Sequence, residues 1–475
     1  MKKNKKYQLK KLIGQSLIEV ILAVALLAIF ASSLSVYLNN QLAYMTRGQN
    51  ALEAIYLAQE GLEASRSIRD MGWEYLATGT HGLVYSGEWN FAGTEEGVGK
   101  FTRKILIDDI SENERSVISW VTWPGTTALR SIMLATNLSN WREIVEPLLE
   151  GDWGYPTTLG SVDLGPGNTP TGLVVRNGIL YMSAQASSAA KPDFFVVDVS
   201  NGISPVIVGQ IDTSPGLNGV DVAGDFVFLA NQDASNQLQI ANISDPNNPY
   251  LISSYRLIGN TSQALAIAAT GTTVFIGTAN DAGSELYTIN VSNPSTPSVL
   301  NNLEIGADVN NIFINGDTLY LATSQDDNEV VILDISNPAN PTVTASLNLP
   351  NTNDALSVFV NYQDNRLYVS RKADGTANSP EIVIYNVTDK NNPQLLGSME
   401  FSNDVYSAYA ADGLMFIATS YSSQEFQVYR ASDPANLMYW TGLNFPQLAV
   451  DMDLENNTIY MSIRSNDALR IITSQ

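Results

Sequence analysis

Val330-Val-Ile-Leu-Asp-Ile-Ser336 is one of six related stretches in this chain of 475 residues. The others are Phe194-Phe-Val-Val-Asp-Val-Ser200, Leu238-Gln-Ile-Ala-Asn-Ile-Ser244, Leu286-Tyr-Thr-Ile-Asn-Val-Ser292, Glu381-Ile-Val-Ile-Tyr-Asn-Val-Thr388 and Phe426-Gln-Val-Tyr-Arg-Ala-Ser432. Their terminal Ser/Thr positions are separated by 44, 48, 44, 52 and 44 residues. Most are followed by Asn or Asp and then by proline, as in Ser292-Asn-Pro-Ser-Thr-Pro297. Short apolar strands recurring every ~40–50 residues predict the blades of a β-propeller. One unit reads as four strands over 311–315, 319–323, 330–335 and 343–347. Seven first strands can be counted, starting near Gly172, Gly219, Ala264, Asn311, Leu356, Tyr406 and Leu448. Only six units carry the Ser-Asn-Pro type of turn, and the seventh stops after its third strand at 469–473. Leu159-Gly-Ser-Val-Asp-Leu164 resembles Leu396-Gly-Ser-Met-Glu-Phe401, so it is expected to supply the missing fourth strand and cover an otherwise open edge.

These repeats resemble the LVIVD-type propeller repeat. In such a ring the first-to-second and third-to-fourth connections share one face and are short. The second-to-third and blade-to-blade loops share the other face, and here they vary in length: 185–192, 280–284, 371–380 and 421–424. Variable loops on a rigid scaffold are where binding usually lives. The candidate binding face is therefore marked by Gln185, Asp281, Asp326, Asp327, Arg371 and Tyr421. Gln325-Asp-Asp-Asn-Glu329 has no cation-loop ligand spacing and reads as a solvated acidic loop. Asn242, Asn290 and Asn386 stand in Asn-x-Ser/Thr triplets, but the repeat turn already accounts for them.

The other end of the chain reads differently. Gly14-Gln15-Ser16-Leu17-Ile18-Glu19-Val20 follows six lysines and opens an apolar run to Leu38 in which Glu19 is the sole charge. A helix rising ~1.5 Å per residue would cross a hydrocarbon core over that length, with the lysines cytoplasmic. A carboxylate inside such a run is costly and functional by default. The segment resembles the N-terminus of type IV prepilins and pseudopilins. The resemblance implies cleavage by a prepilin peptidase between Gly14 and Gln15, methylation of the new amino group, and Glu19 as the carboxylate that pairs with a neighbouring subunit's amino terminus. Many members carry Phe where this chain has Gln15.

Residues 15–70 are then expected to be one long assembly helix, with Leu52, Ile55, Ala58 and Leu62 on its buried face. Gly48 and Gly61 weaken it by ~1 kcal/mol each against Ala. Residues 71–147 read as a small antiparallel sheet, with strands at 101–107, 115–123 and 130–136. Residues 1–14 are the leader, 148–158 a linker and 159–475 the propeller. The expected fold class is thus α+β multidomain: a long pilin helix with a small sheet, followed by an all-β seven-bladed propeller.

Composition narrows the function. Net charge is −23, which excludes a basic nucleic-acid footprint. Cysteine is absent and His81 is the single histidine, which excludes thiol chemistry and multi-His metal sites. His81 lies in Gly79-Thr-His-Gly82, an ordinary turn by sequence. No catalytic residue, metal or cofactor is expected. The expected protein is a minor or tip subunit of a type IV pilus-like filament, displaying its propeller for extracellular adhesion. Its partners would be like subunits, the peptidase, the cytoplasmic membrane before assembly and an extracellular ligand. Alternatives are a secretion pseudopilin, an anchored surface receptor, or a propeller hydrolase.

Overall fold

A computed structural model describes residues 17–139 and 149–475, apart from positions 88, 112–113, 126–127, 187, 189 and 377. The chain divides into two compact units, Met1–Glu143 and Ile144–Gln475.

In the first unit, α1 (Leu17–Met71) and a 3-10 turn precede β1 (Gly79–His81), β2 (Leu83–Tyr85), β3 (Trp89–Phe91), β4 (Glu96–Val98), β5 (Phe101–Ser111), β6 (Glu114–Pro124) and β7 (Leu129–Ser139). The sheet order is β1-β5-β6-β7, with β4 also on β5 and with β2 and β3 as a separate pair. Strand β5 alternates, sending Phe101, Arg103, Ile105 and Ile107 inward. Against them lie Ala54, Ala58, Leu62, Ser65 and Ile68 of α1, all buried, while Leu52 is 52% exposed. The helix face is therefore rotated from the one expected, because small residues let the helix sit close to the sheet. Gly61 belongs to this face: a Cβ there would lie 2.3 Å from Ser119 Oγ. Arg103 ties the layers together. It donates to Glu60 Oε2 (2.8 Å), Leu57 O (2.9 Å) and Glu96 Oε2 (2.6 Å), so its buried charge is fully paired. His81 ends strand β1 instead of forming a turn; Nε2 sits 2.8 Å from Ala77 O and the ring stacks on Phe91.

Two expectations fail here. The α+β class is replaced by a nearly all-β chain, since thirty-five strands stand against one α-helix and one 3-10 turn among the described residues. Nor is α1 the membrane-spanning pilin helix expected. Among the described residues no helix is long and apolar enough to cross a membrane, which removes the support for a single-pass location with a cytoplasmic N-terminus. The apolar run stops at Asn39-Asn40-Gln41, and beyond it α1 is amphipathic and spends its apolar side on the sheet.

The second unit contains seven four-stranded antiparallel sheets. Blade 4 is typical, with strands Val309–Asn315, Thr318–Thr323, Val330–Asp334 and Thr342–Leu347. Its second strand is buried at every position and its third at all but the last, because neighbouring blades cover both faces. That is why these strands read as continuous apolar runs. The Ser-Asn-Pro signature is two successive side-chain-capped turns. Asp334 Oδ1 accepts from Ser336 N (2.9 Å), and Asn337 Oδ1 accepts from Ala339 N (3.2 Å). Asn242, Asn290 and Asn386 cap the equivalent turns through Ser244 N, Ser292 N and Thr388 N.

Blade 7 is built from Ala449–Glu455, Thr458–Ile463, Asp467–Thr473 and β8 (Thr157–Asp163). Strand β8 runs antiparallel to the last strand, with Leu469 opposite Val162 and Ile471 opposite Gly160. A glycine in the outer strand repeats the contact between blades. A Cβ on Gly160 would lie 2.3 Å from Gly202 O, on Gly209 2.4 Å from Pro246 O, and on Gly397 1.9 Å from Pro434 O. At these three junctions the turn of the next blade thus seats on a bare backbone, whereas Ser253 and Asn301 at the matching positions donate to carbonyls of the turn instead. Gly397→Ala should cost about 1–3 kcal/mol, the usual penalty for overpacking, because carbonyls cannot yield as a flexible side chain does. Urea unfolding would read it as a lower midpoint at unchanged slope; a change within 0.5 kcal/mol would remove the argument.

Residues 149–156 are not a free linker. Leu149 N donates to Asp412 Oδ2, Glu150 N to Asn457 Oδ1, Asp152 N to Gln475 O, and Trp153 is buried against blades 6 and 7.

Candidate functional site on the variable face of the propeller

The six candidate residues do not form one cluster. Gln185 is exposed and bridges Gly216 in the next blade. Asp281 is locked by Thr261 and Gly283: its oxygens accept Gly283 N, Thr261 N (2.6 Å) and Thr261 Oγ1 (2.8 Å). Those bonds hold its carboxyl below the usual carboxylate range. Asp326 and Asp327 are exposed. Arg371 is fully buried and is a structural residue. It donates to Asn353 O (3.0 Å) and Pro380 O (3.2 Å), and its guanidinium lies 4.0 Å from Glu329 Oε1. Tyr421 is 39% exposed and meets Phe401 edge-on at 6.1 Å. The assembly residues fall elsewhere. Gly14 and Gln15 lie outside the described residues, and Glu19 lies in the first turn of α1 with its side chain outside them.

Glu329, expected in a solvated acidic loop, is 1% exposed. It belongs to a series placed one residue before the third strand of blades 1 to 6: Asp193, Gln237, Glu285, Glu329, Glu381 and Glu425, all buried. Each accepts from a backbone N–H twenty residues on: Thr213, Leu257, Ile305, Leu349, Phe401 and Phe445. These bonds pin the chain as it leaves each blade, so the variable loops rise from fixed roots. Burial pushes Asp193 up to about 6 and raises Glu329 as well. The fixed twenty-residue offset between an acid and a loop position was the available sequence signal.

The ring seam carries a second set of carboxylates. Asp451 Oδ2 accepts from Leu173 N (3.0 Å), Asp453 Oδ2 from Val175 N (2.9 Å), and Glu455 Oε2 from Gly178 N (2.8 Å). Alternate residues of blade 7 thereby satisfy the free edge of blade 1's first strand. Arg176 joins Asp453 at 3.2 Å. Burial pushes Asp451 up to about 7 and raises Asp221. Among the described residues, no group of three or more His, Cys, Asp or Glu is arranged to hold a metal.

One recess on this side is lined by Phe401, Asn403, Tyr421, Gln424, Gln427 and Tyr439, with a volume of about 380 Å³. Its lining joins the loop residues Phe401, Asn403, Tyr421 and Gln424 to Gln427 and Tyr439 on the third and fourth strands of blade 6. Gln427 is fixed by Tyr429 Oη (2.7 Å) and by Gln424 O (3.2 Å). Sequence reasoning found Tyr421 and missed the rest, which come from two blades.

The LVIVD repeat model matches residues 189–213, 218–256 and 306–348. The chain is a β-propeller carrying LVIVD repeats. Solved structures similar to this LVIVD propeller include a chain of a mitotic checkpoint complex, at 13% identity and TM-score 0.52 over 69% of this chain and 98% of that one. The Cps50 (Swd1) β-propeller domain of Myceliophteria thermophila matches at 11% identity and TM-score 0.50, over 66% and 98%. Catalytically inactive virginiamycin B lyase from Staphylococcus aureus, solved with quinupristin, matches at 11% identity and TM-score 0.50, over 66% and 99%. At such identities the likeness of the LVIVD propeller to these proteins is one of fold. No curated protein matches the sequence.

Proposed function

We propose that this chain is a display protein whose LVIVD propeller is a binding head, and that it serves as a minor or tip subunit of a pilin-like filament. The observation that carries the binding half is the division of the propeller. One face has short, side-chain-capped turns, and the other has loops of unequal length rooted by the buried acid series. Mechanism here is recognition: the blades hold the loops rigid, so little ordering entropy opposes binding. Catalysis is not part of the proposal.

The filament half rests on the residues at Gly14, Gln15 and Glu19 and on the apolar side chains that follow them. Ile21, Leu22, Val24, Leu26, Leu27, Ile29 and Phe30 are each 59–68% exposed in the chain by itself. An apolar surface of this kind suits packing against like helices. A head of some 300 residues is too bulky to repeat at every subunit of a close-packed filament, which favours a minor or terminal position. The proposed partners are like subunits, a prepilin peptidase and a ligand of the variable face.

The N-terminal mass of the protein recovered from cells tests the filament half. A chain beginning at Gln15 is expected, methylated if the resemblance extends to that step. A chain beginning at Met1 or Lys2 removes processing and, with it, the filament.

A further inference from the structure

We propose that the recess of Phe401, Asn403, Tyr421, Gln424, Gln427 and Tyr439 binds a neutral saccharide. The inference rests on the reading of the variable face as a binding head and names what one part of it takes.

Two exposed rings dominate the recess, and each is held by a second ring. Tyr421 stands edge-on to Phe401 at 6.1 Å, and Tyr439, 49% exposed, stands edge-on to Tyr429 at 5.7 Å. Tyr429 is itself 5% exposed and donates to Gln427, so the platform under Tyr439 is part of the blade core. Rings braced this way lose little freedom when a ligand lies on them.

The polar groups point to the same ligand class. The Asn403 and Gln424 side-chain amides and the Tyr421 and Tyr439 hydroxyls have no hydrogen-bond partner among the described residues. Each amide offers donors and an acceptor, and each hydroxyl offers both. The Gln424 side chain lies over Gly442, where a Cβ would come 3.3 Å from its Cδ; the glycine leaves it that position. No charged residue lines the recess, although the chain carries a net charge of −23. A ligand with apolar ring faces, many hydroxyls and no charge meets all of these at once. A cation would find no carboxylate there and an anion no base. A purely apolar molecule would bury the unpaired amides at a cost of about 1–3 kcal/mol each. The volume of about 380 Å³ is within the ~300–1,000 Å³ usual for small-ligand sites.

The test uses the full chain on an array of neutral oligosaccharides built from glucose, mannose, galactose and N-acetylglucosamine, alongside a peptide array that includes proline-rich sequences. Hits are titrated by calorimetry. Tyr421→Ala and Gln424→Ala are each expected to weaken a glycan hit at least tenfold. Asn247→Ala, at the turn between the third and fourth strands of blade 2, should leave it unchanged. Gln424 is at the surface, so its variant folds even if an aromatic variant does not; thermal melts check both. The proposal is overturned if no neutral glycan binds, if a glycan binds equally to both variants, or if only a peptide binds. Binding of the intact chain to whole cells that survives both substitutions would remove the saccharide and leave the binding head. An unprocessed N-terminus would remove the filament and leave the saccharide result untouched.

Discussion

Trp153→Ala is expected to lower the unfolding free energy of the propeller by about 3–5 kcal/mol, the range for deleting a buried large aromatic side chain. Trp153 is 1% exposed and lies in the core shared by blades 6 and 7, with Phe416 edge-on at 4.8 Å and Met461, Ile459 and Ile472 in the same cluster. Its indole N–H donates to Asn457 Oδ1 at 3.1 Å. The same oxygen also accepts from Glu150 N, so it keeps a partner in the variant and the loss is mainly one of packing. The cavity would open where residues 149–156 fasten to the ring, and the flanking bonds through Asp412 and Ser474 would be left to hold that segment. Denaturant unfolding followed by far-UV circular dichroism is the suitable readout, because it does not depend on the tryptophan removed. A loss under 1 kcal/mol would mean that this segment is not a working part of the propeller.

The second large effect concerns pH. The propeller should gain stability as pH falls from 8 to about 5. Burial pushes Asp451 up to about 7 and Asp193 up to about 6, and it also raises Asp221 and Glu329. A folded pKa above the unfolded one means that the folded state binds protons more tightly. The stabilisation is complete below the ordinary carboxylate value and is lost as pH rises through the folded value. For Asp451 that window runs from about 4 to about 7, and the effect is on the order of 4 kcal/mol at ~1.4 kcal/mol per unit. The lower limit is set by groups shifted the other way. Hydrogen bonds from Ser336 hold Asp334 down to about 2, and that contribution disappears as pH falls from ~4 toward 2. Asp451→Asn keeps an oxygen for Leu173 N, gives up the bond from Met452 N to the other oxygen, and removes the buried charge. It should raise the melting temperature at pH 8 and flatten the profile between 5 and 8. Parallel profiles for the two proteins would show that Asp451 is not the group responsible.

How much of this could be read in the sequence depended on whether a signal was local. The blades were legible because strands covered on both faces leave continuous apolar runs, as in Leu319–Thr323 of the second strand and Val330–Asp334 of the third. Their turns were legible because Asp334 and Asn337 act on residues two positions away. Charge misled where its partner was distant. Glu329 looked solvated beside Asp326 and Asp327, but its partner is Leu349 N, twenty residues on. Arg371 looked like a surface cation in a long loop, and carbonyls of Asn353 and Pro380 enclose it. In α1 the spacing of Leu52, Ile55, Ala58 and Leu62 marks a face of which Ala58 and Leu62 are buried, but Leu52 is exposed and Ala54 is buried in its stead, because close packing on the sheet selects small side chains. Gly151-Asp-Trp-Gly-Tyr-Pro156 reads as turn residues, and nothing nearby shows that Trp153 has a socket some three hundred residues away. The recess was legible only through Tyr421, since its other walls come from the exit of blade 5 and from the third and fourth strands of blade 6.

The pairing of β8 with the final strand also sets the order of events in folding. Six sheets are each made of consecutive strands and can form as soon as their own residues are present. The seventh cannot, because its outer strand is made first and its other three last. The bond from Ser474 to Glu150 joins residues 324 positions apart. Contacts of such separation are slow to form, since the chain gives up loop entropy before they reward it. Strand β8 must therefore wait with one edge bare until its partner strand, Asp467–Thr473, has been made. The seam should be the last junction to close, the first to open under load, and the place where two copies could exchange strands.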